Sequence, residues 1–325
     1  MNLFTRCLGA LLPALALLSS PAASAQDYPN KPIRIIAPFA AGTGPDANTR
    51  EIAAELTRVL GQPVVVENRP GASSTIRMDA AAPSAPDGYT LVMGSTTSHS
   101  VVPALYRKVP YNAERDFAPI SILGLLNTAL LANANLPESS AREVLARLKL
   151  QPEGLVAGTS GVGSYSHLAG EWFAHSAGVR LNFVPYNTTS PYADLVSGQV
   201  QLMFDALPTA LGNVKAGKLK VLALTGTSRH PSFPDVPTFT ELGLKDYSPT
   251  AWTGLFAPAG TPKPIVDKLS AAMQKASTQN PALIERWRSY GGELKANTPE
   301  AFAAFLKQDA VLWGQAIRHT GLKLD

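Results

Sequence analysis

Cysteine is almost missing from this chain: among 325 residues there is one, Cys7, and it lies in an apolar N-terminal segment. The rest of the chain therefore has no thiol for a disulfide or a thiolate metal site. Histidine is scarce too, with five scattered residues, which leaves little for an imidazole metal centre. Charged residues make up only 16% and form no basic block, so the clustered face that nucleic-acid binding needs is excluded. The net charge of +4, to which Arg6 contributes, is a mild bias that suits small anions. No long hydrophobic run occurs; the longest, Leu8 to Leu18, falls well short of the roughly 20 residues that cross a membrane.

That run is better read as an export signal. Arg6 precedes it and Ala23-Ser24-Ala25 supplies small residues before Gln26, which predicts cleavage after Ala25 and a periplasmic product. No cysteine stands at the expected first mature position, so a freely diffusing, unlipidated monomer is expected. The 300 residues that follow suffice for two domains of about 150.

Strands and helices alternate along those residues. Ile33, Ile35 and Ile36 predict a buried strand over 31–39. A loop follows, and from Asp46 the residues Ile52, Ala53, Leu56, Val59 and Leu60 recur at helical spacing up to Gly61. Further strands are read at 64–66 and 89–94, the second running into a Ser/Thr-rich loop over 95–98. The same order restarts with a strand at 155–157, a loop over 158–163, a helix over 164–177 closed by Gly178 and a strand at 181–186. A loop over 187–190, a short helix over 191–197 and strands at 200–204 and 219–224 follow. This alternation predicts parallel sheets covered on both faces, hence an α/β class. Proline-marked stretches at 117–126 and 247–258 read as extended segments crossing between two lobes. Helices over 264–275, 282–290 and 299–319 are expected to pack on the first lobe. The expected division is a signal over 1–25, one lobe from 26–125 plus 252–325, and a second from 126–251.

The loops carry the functional signal. In open α/β sheets, ligands bind beyond the carboxyl ends of strands, where loops feed helix N-termini whose free N–H groups suit anions. Gly42-Thr43-Gly44 precedes one helix and Thr159-Ser160-Gly161-Val162-Gly163 another, so each half offers one such junction. Neither ends in the Gly-Lys-Ser/Thr of a phosphate-binding loop. A periplasmic hydrolase using Ser160 is the enzymatic alternative, but Gly158-Thr159-Ser160-Gly161-Val162 lacks the second glycine of a nucleophile elbow. His167 and Glu171 share a helix face; packing or capping is the expected role of this histidine, and no metal, cofactor or catalytic constellation is expected. Phe204 and Trp252 read as core residues, whereas Phe39 and Tyr186, at strand ends, lean toward the ligand.

Several stretches resemble one family. They include Tyr28-Pro29-Asn30-Lys31-Pro32-Ile33, Val65-Val66-Glu67-Asn68-Arg69-Pro70-Gly71 and Pro86-Asp87-Gly88-Tyr89. Arg115-Asp116-Phe117-Ala118-Pro119, Ser160-Gly161-Val162-Gly163 with His167-Leu168-Ala169-Gly170-Glu171, Val184-Pro185-Tyr186 and Ala257-Pro258-Ala259-Gly260-Thr261-Pro262 continue the series. Together they are similar to the Bug-type receptors of tripartite tricarboxylate transporters, in order along nearly the whole chain after the signal. The resemblance implies a type II periplasmic-binding-protein fold: two α/β lobes joined by two crossover segments, closing on a small organic mono- or dicarboxylate that is passed to a two-component membrane permease. A carboxylate sensor for a membrane signalling partner is the alternative within that class. Carried onto this chain, the ligand contacts implied are Phe39, Ala40, Gly42, Thr43, Asp46, Ser95 and Thr96 on the first lobe. On the second they are Thr159, Ser160, Gly161, Gly163, Tyr186 and Asp205, with His167 supporting the loop. Departures from the family pattern fall at Thr43, at Ser73 to Arg77 and at Asn187-Thr188, which places selectivity there. Arg77 either pairs with a second ligand carboxylate or points to solvent.

Overall fold

The computed structural model describes residues 28–37, 44–68, 75–186, 189–289 and 291–324. The chain builds two sheets. Strands β1 (Ile33–Ala37), β2 (Val64–Asn68) and β3 (Thr90–Ser95) pair in parallel, with helices α1 (Gly44–Leu60) and α2 (Thr75–Ala81) between them. Ile33 and Ile35 are buried with α1 residues Ile52, Ala53 and Leu56 on one face, and Ile36 with Met78 and Ala81 of α2 on the other, which explains why the isoleucine-rich segment is an inner strand covered on both faces. A π turn (Thr97–Val101) and α3 (Val102–Leu105) follow β3 directly, so the segment read as a loop over 95–98 is a strand end and a helical start.

The chain then leaves through β4 (Phe117–Leu126) and enters the second sheet at β5 (Thr128–Asn133). There α4 (Ala141–Leu150), β6 (Val156–Thr159), α5 (Tyr165–Ala177), β7 (Asn182–Pro185), α6 (Tyr192–Ser197), β8 (Leu202–Ala206), α7 (Leu207–Lys215) and β9 (Leu219–Leu224) complete the lobe. The chain returns through β10 (Ala251–Pro258), and α8 (Lys263–Thr278), α9 (Pro281–Ser289), β11 (Gly292–Leu294) and α10 (Pro299–Thr320) finish the molecule. Strand order is β11-β4-β10-β3-β1-β2 in one sheet and β7-β6-β8-β5-β9 in the other.

Neither sheet is purely parallel, contrary to the expectation from alternation. β10 runs antiparallel to both β3 and β4, and β5 antiparallel to β8 and β9. The physical reason is the double crossover. One segment carries the chain out of the first sheet and the other carries it back, so neighbours β4 and β10 must point in opposite directions.

The two crossovers are tied where they pass between the sheets. Thr128 Oγ1 donates to the Pro249 carbonyl at 2.9 Å, and the Thr128 N–H donates to Thr225 Oγ1 at 2.8 Å. Helix α10 ties the lobes at another place. Thr298 caps it by accepting from the Ala301 N–H, Pro299 opens it and Gly321 ends it in the left-handed region. Its first half buries Phe302 against Trp252 and Phe256 of the first lobe; its second half buries Trp313, Ala316 and Ile317 among Trp172 and Phe173 of the second. The helix read as belonging to the first lobe is thus shared between both cores.

Candidate functional site: strand ends and helix starts

Parallel pairing aligns the strand ends of each sheet. In the first, Ala37 lies opposite Asn68 and follows Ile36, which pairs with Val92 three residues before the end of β3; in the second, Thr159 lies opposite Pro185, with β8 alongside. Asp46, Asn68 and Ser95 therefore share one edge, and the 160–164 loop, Tyr186 and Asp205 share the other.

On the first edge Asp46 is buried in the first turn of α1. Its carboxylate accepts from Asn68 Nδ2 at 2.6 Å and from Arg50 Nε at 3.1 Å, and Arg50 also donates to Asn68 Oδ1. Asp46 thus fixes the start of α1 to the end of β2. Asn68 and Arg50 were missed from sequence, although the strand-end rule applied to Val66-Glu67-Asn68 would have flagged Asn68. Thr96 is buried with its hydroxyl committed: it accepts from the Trp252 N–H at 2.9 Å and donates to the Thr250 carbonyl at 3.2 Å, pinning the returning crossover. Ser95, partly exposed at the end of β3, is held by its N–H on Ser98 Oγ at 3.0 Å. Phe39, Ala40, Gly42 and Thr43 lie outside the described residues, as do Asn187 and Thr188; Arg77 sits on α2, but its side chain is likewise outside them.

The second edge is built around α5. Gly161 at φ +116° and Gly163 at φ +72° give the loop its shape, and a Cβ on Gly163 would stand 2.3 Å from Leu105 and 2.9 Å from Leu324. Side chains of α3 and of the C-terminal segment therefore brace this loop from behind. The Gly163 N–H donates to His167 Nδ1 at 3.0 Å, the Ser160 N–H to Ser166 Oγ at 2.9 Å, and Ser164 caps α5. Because Nδ1 accepts, the neutral imidazole carries its proton on Nε2, facing Glu171 Oε1 at 3.6 Å. His167 holds the loop from inside. Of the loop amides, those of Gly161 and Val162 have no partner among the described residues, and the Ser160 side chain is exposed. Thr159 is buried beneath them.

Tyr186 donates its hydroxyl to Asp194 Oδ2 at 2.5 Å, which pushes the phenol up to about 12 and leaves only its ring to offer. Asp205 accepts from Tyr192 Oη at 2.9 Å and from the Ala206 N–H at 2.8 Å; burial pushes its carboxyl above the ordinary range despite both donors. Among the described residues at these strand ends the one cation is Arg50, already bound to Asp46 and Asn68. What the site offers an anion there is backbone N–H groups, hydroxyls and a helix N-terminus.

Two mixed α/β sheets joined by a double crossover make a type II periplasmic-binding-protein fold. The family described as tripartite tricarboxylate transporter family receptor (TctC) matches residues 48–322, and the chain belongs to it. Protein BugT of Bordetella pertussis is 34% identical over 303 residues, covering 93% of each chain. Among solved structures, R. palustris Rpa4515 with adipate superposes with a TM-score of 0.84 at 29% identity, covering 92% of this chain and all of that one. MatC from Rhodopseudomonas palustris with bound malate gives 0.78 at 33% identity, covering 89% and 100%. The chain is accordingly a solute-binding receptor by family.

Proposed function

We propose that the chain binds a small organic carboxylate between its two lobes and hands it, unchanged, to a two-component membrane permease after export to the periplasm. The observation that carries this reading is the second-lobe junction, where the Gly161 and Val162 amides and the Ser160 hydroxyl have no partner among the described residues ahead of α5 while the loop behind them is fixed by His167. An anion is held there by dipoles and N–H groups instead of a salt bridge. The adipate and malate bound by relatives support the carboxylate class.

In this reading the lobes divide at 125/126 and 251/252, and the ligand touches Phe39, Ala40, Gly42, Thr43 and Ser95 on one side and Thr159, Ser160, Gly161, Tyr186, Asn187 and Thr188 on the other. Asp46, Thr96, Gly163, His167 and Asp205 act through the shape of the site, and Arg77 is the group that would meet a second carboxylate. A thermal-shift screen of mono- and dicarboxylates against neutral sugars and amines tests it. A true ligand at a hundredfold excess over its Kd stabilises by about 2.7 kcal/mol. If sugars or amines shift the transition and no carboxylate does, the reading fails.

A further inference from the structure

The loop ahead of α5 is held by a group that can take a proton. A backbone N–H only donates, so the Gly163 N–H, 3.0 Å from His167 Nδ1, fixes that nitrogen as the acceptor and leaves the proton of the neutral ring on Nε2. A second proton would enter at Nδ1, on the line the Gly163 N–H now occupies. Imidazolium donates from both nitrogens and accepts at neither, so the neutral ring holds Gly163 and the charged ring turns it away.

The surroundings give the charged ring a second place to bond. Nε2 faces Glu171 Oε1 at 3.6 Å, one turn further along α5, and among the described residues Glu171 is the only acid within ion-pair distance of the ring. That carboxylate also offsets the pull a cation here would exert on a bound anion, which leaves the loss of the loop anchor as the larger effect. The other elements around the ring and loop contribute no charge at contact. Phe183 of β7 stands edge-on to His167 at 5.3 Å, and Leu105 and Leu324 close on Gly163. Further out, the shallow cavity that Glu171 and Phe183 line holds the Arg180–Glu153 pair, 3.7 Å apart, and the stacked rings of His175 and His319.

We propose that His167 is a proton switch on this loop. Neutral, it anchors Gly163 and keeps the Gly161 and Val162 amides in place for a carboxylate; protonated, it pairs with Glu171 and releases the loop. A carboxylate is then held at higher pH and let go as pH falls through the imidazole range. The inference rests on the carboxylate reading above and adds its regulation.

Nuclear magnetic resonance of the mature protein carrying isotope-labelled glycine tests the anchor without ligand. Between pH 8 and pH 5, the range in which imidazoles change charge, the Gly163 amide signal should shift in step with the His167 ring. His167→Asn keeps an acceptor two bonds from Cβ, where Nδ1 stands, but takes no proton in this range, so its Gly163 signal should stay still; His175 and His319 are intact in that variant, which isolates His167. Glu171→Gln removes the ion-pair partner and should move the Gly163 transition to lower pH. Titrations with malate and adipate read the consequence: from pH 8 to pH 5 the native protein should lose about tenfold more affinity than His167→Asn, a comparison that cancels the acids' own protonation. A Gly163 signal that does not move, a transition unshifted in Glu171→Gln, or equal losses in the native and His167→Asn proteins would each overturn the switch. Because Gly163 is read without ligand, failure of both acids to bind at the higher pH would count against the carboxylate reading and leave the switch decided by that signal.

Discussion

Two residues show how local chemistry is held against its own preference. Asp309 sits on α10 with 5% exposure, accepting from Ser100 Oγ at 2.5 Å and Trp252 Nε1 at 2.8 Å, and burial raises its carboxyl from 3.8 to about 6. A carboxyl whose folded value is raised binds more proton when folded than when unfolded. The stability it contributes is therefore full below its unfolded value and is lost as pH rises toward 6, by about 3 kcal/mol in all. Urea midpoints of the native protein should fall between pH 4.5 and pH 6.5, and Asp309→Asn should flatten that slope; an unchanged slope would rule the residue out as its source. Gly163 is the second case. Alanine there meets a positive φ of +72° and a Leu105 methyl at 2.3 Å, whereas alanine at Gly178 meets φ +62° and open space. Gly163→Ala should lose about 1–3 kcal/mol and weaken carboxylate binding, while Gly178→Ala loses about 1–2 kcal/mol with binding intact. Melting curves and titrations on both variants separate backbone strain from loop support.

Among the elements, α10 is the one whose removal would be felt everywhere. Truncating Trp313 empties a site in the second core and truncating Phe302 one in the first, each at about 3–5 kcal/mol. Since one helix enters both cores, Trp313→Ala and Phe302→Ala should each lower the midpoint of a single unfolding transition, coincident by fluorescence and circular dichroism. A variant that moved only one of two separate phases would show that the lobes unfold independently. Elements with clear periodicity and caps were legible in the sequence: α1, α5 and α10 fall within two residues of their expected bounds, because their stop signals are local. β5 was not legible. All six of its residues are buried, so Thr-Ala-Leu-Leu-Ala-Asn carries no alternation to read. Thr96 shows the same limit at the site. The family resemblance marked it for the ligand, but the Trp252 N–H that occupies its hydroxyl arrives from 156 residues away, along a crossover whose direction no local pattern encodes.

For the whole molecule, these ties decide how closure can occur. The crossovers are bonded to each other through Thr128 and Pro249, and α10 is anchored in both cores, so the α10 side is held to both sheets, and in the proposed reading the strand-end loops lie away from it. Closure should then be a rotation about a line through α10 and the crossovers, small near that line and largest at the loops. The scarcity of cysteine makes this measurable, since the only native thiol is Cys7 in the expected signal, and introduced cysteines can be labelled singly. Spin labels at Val162 on the second-lobe loop and Val65 on the edge strand of the first sheet, both exposed, should draw together when a stabilising carboxylate is added. Labels at Ser176 on α5 and Leu312 on α10, which line one groove beside the shared helix, should keep their distance. If both pairs shorten equally, or only the second moves, α10 is not the axis and the shared core must slip during binding.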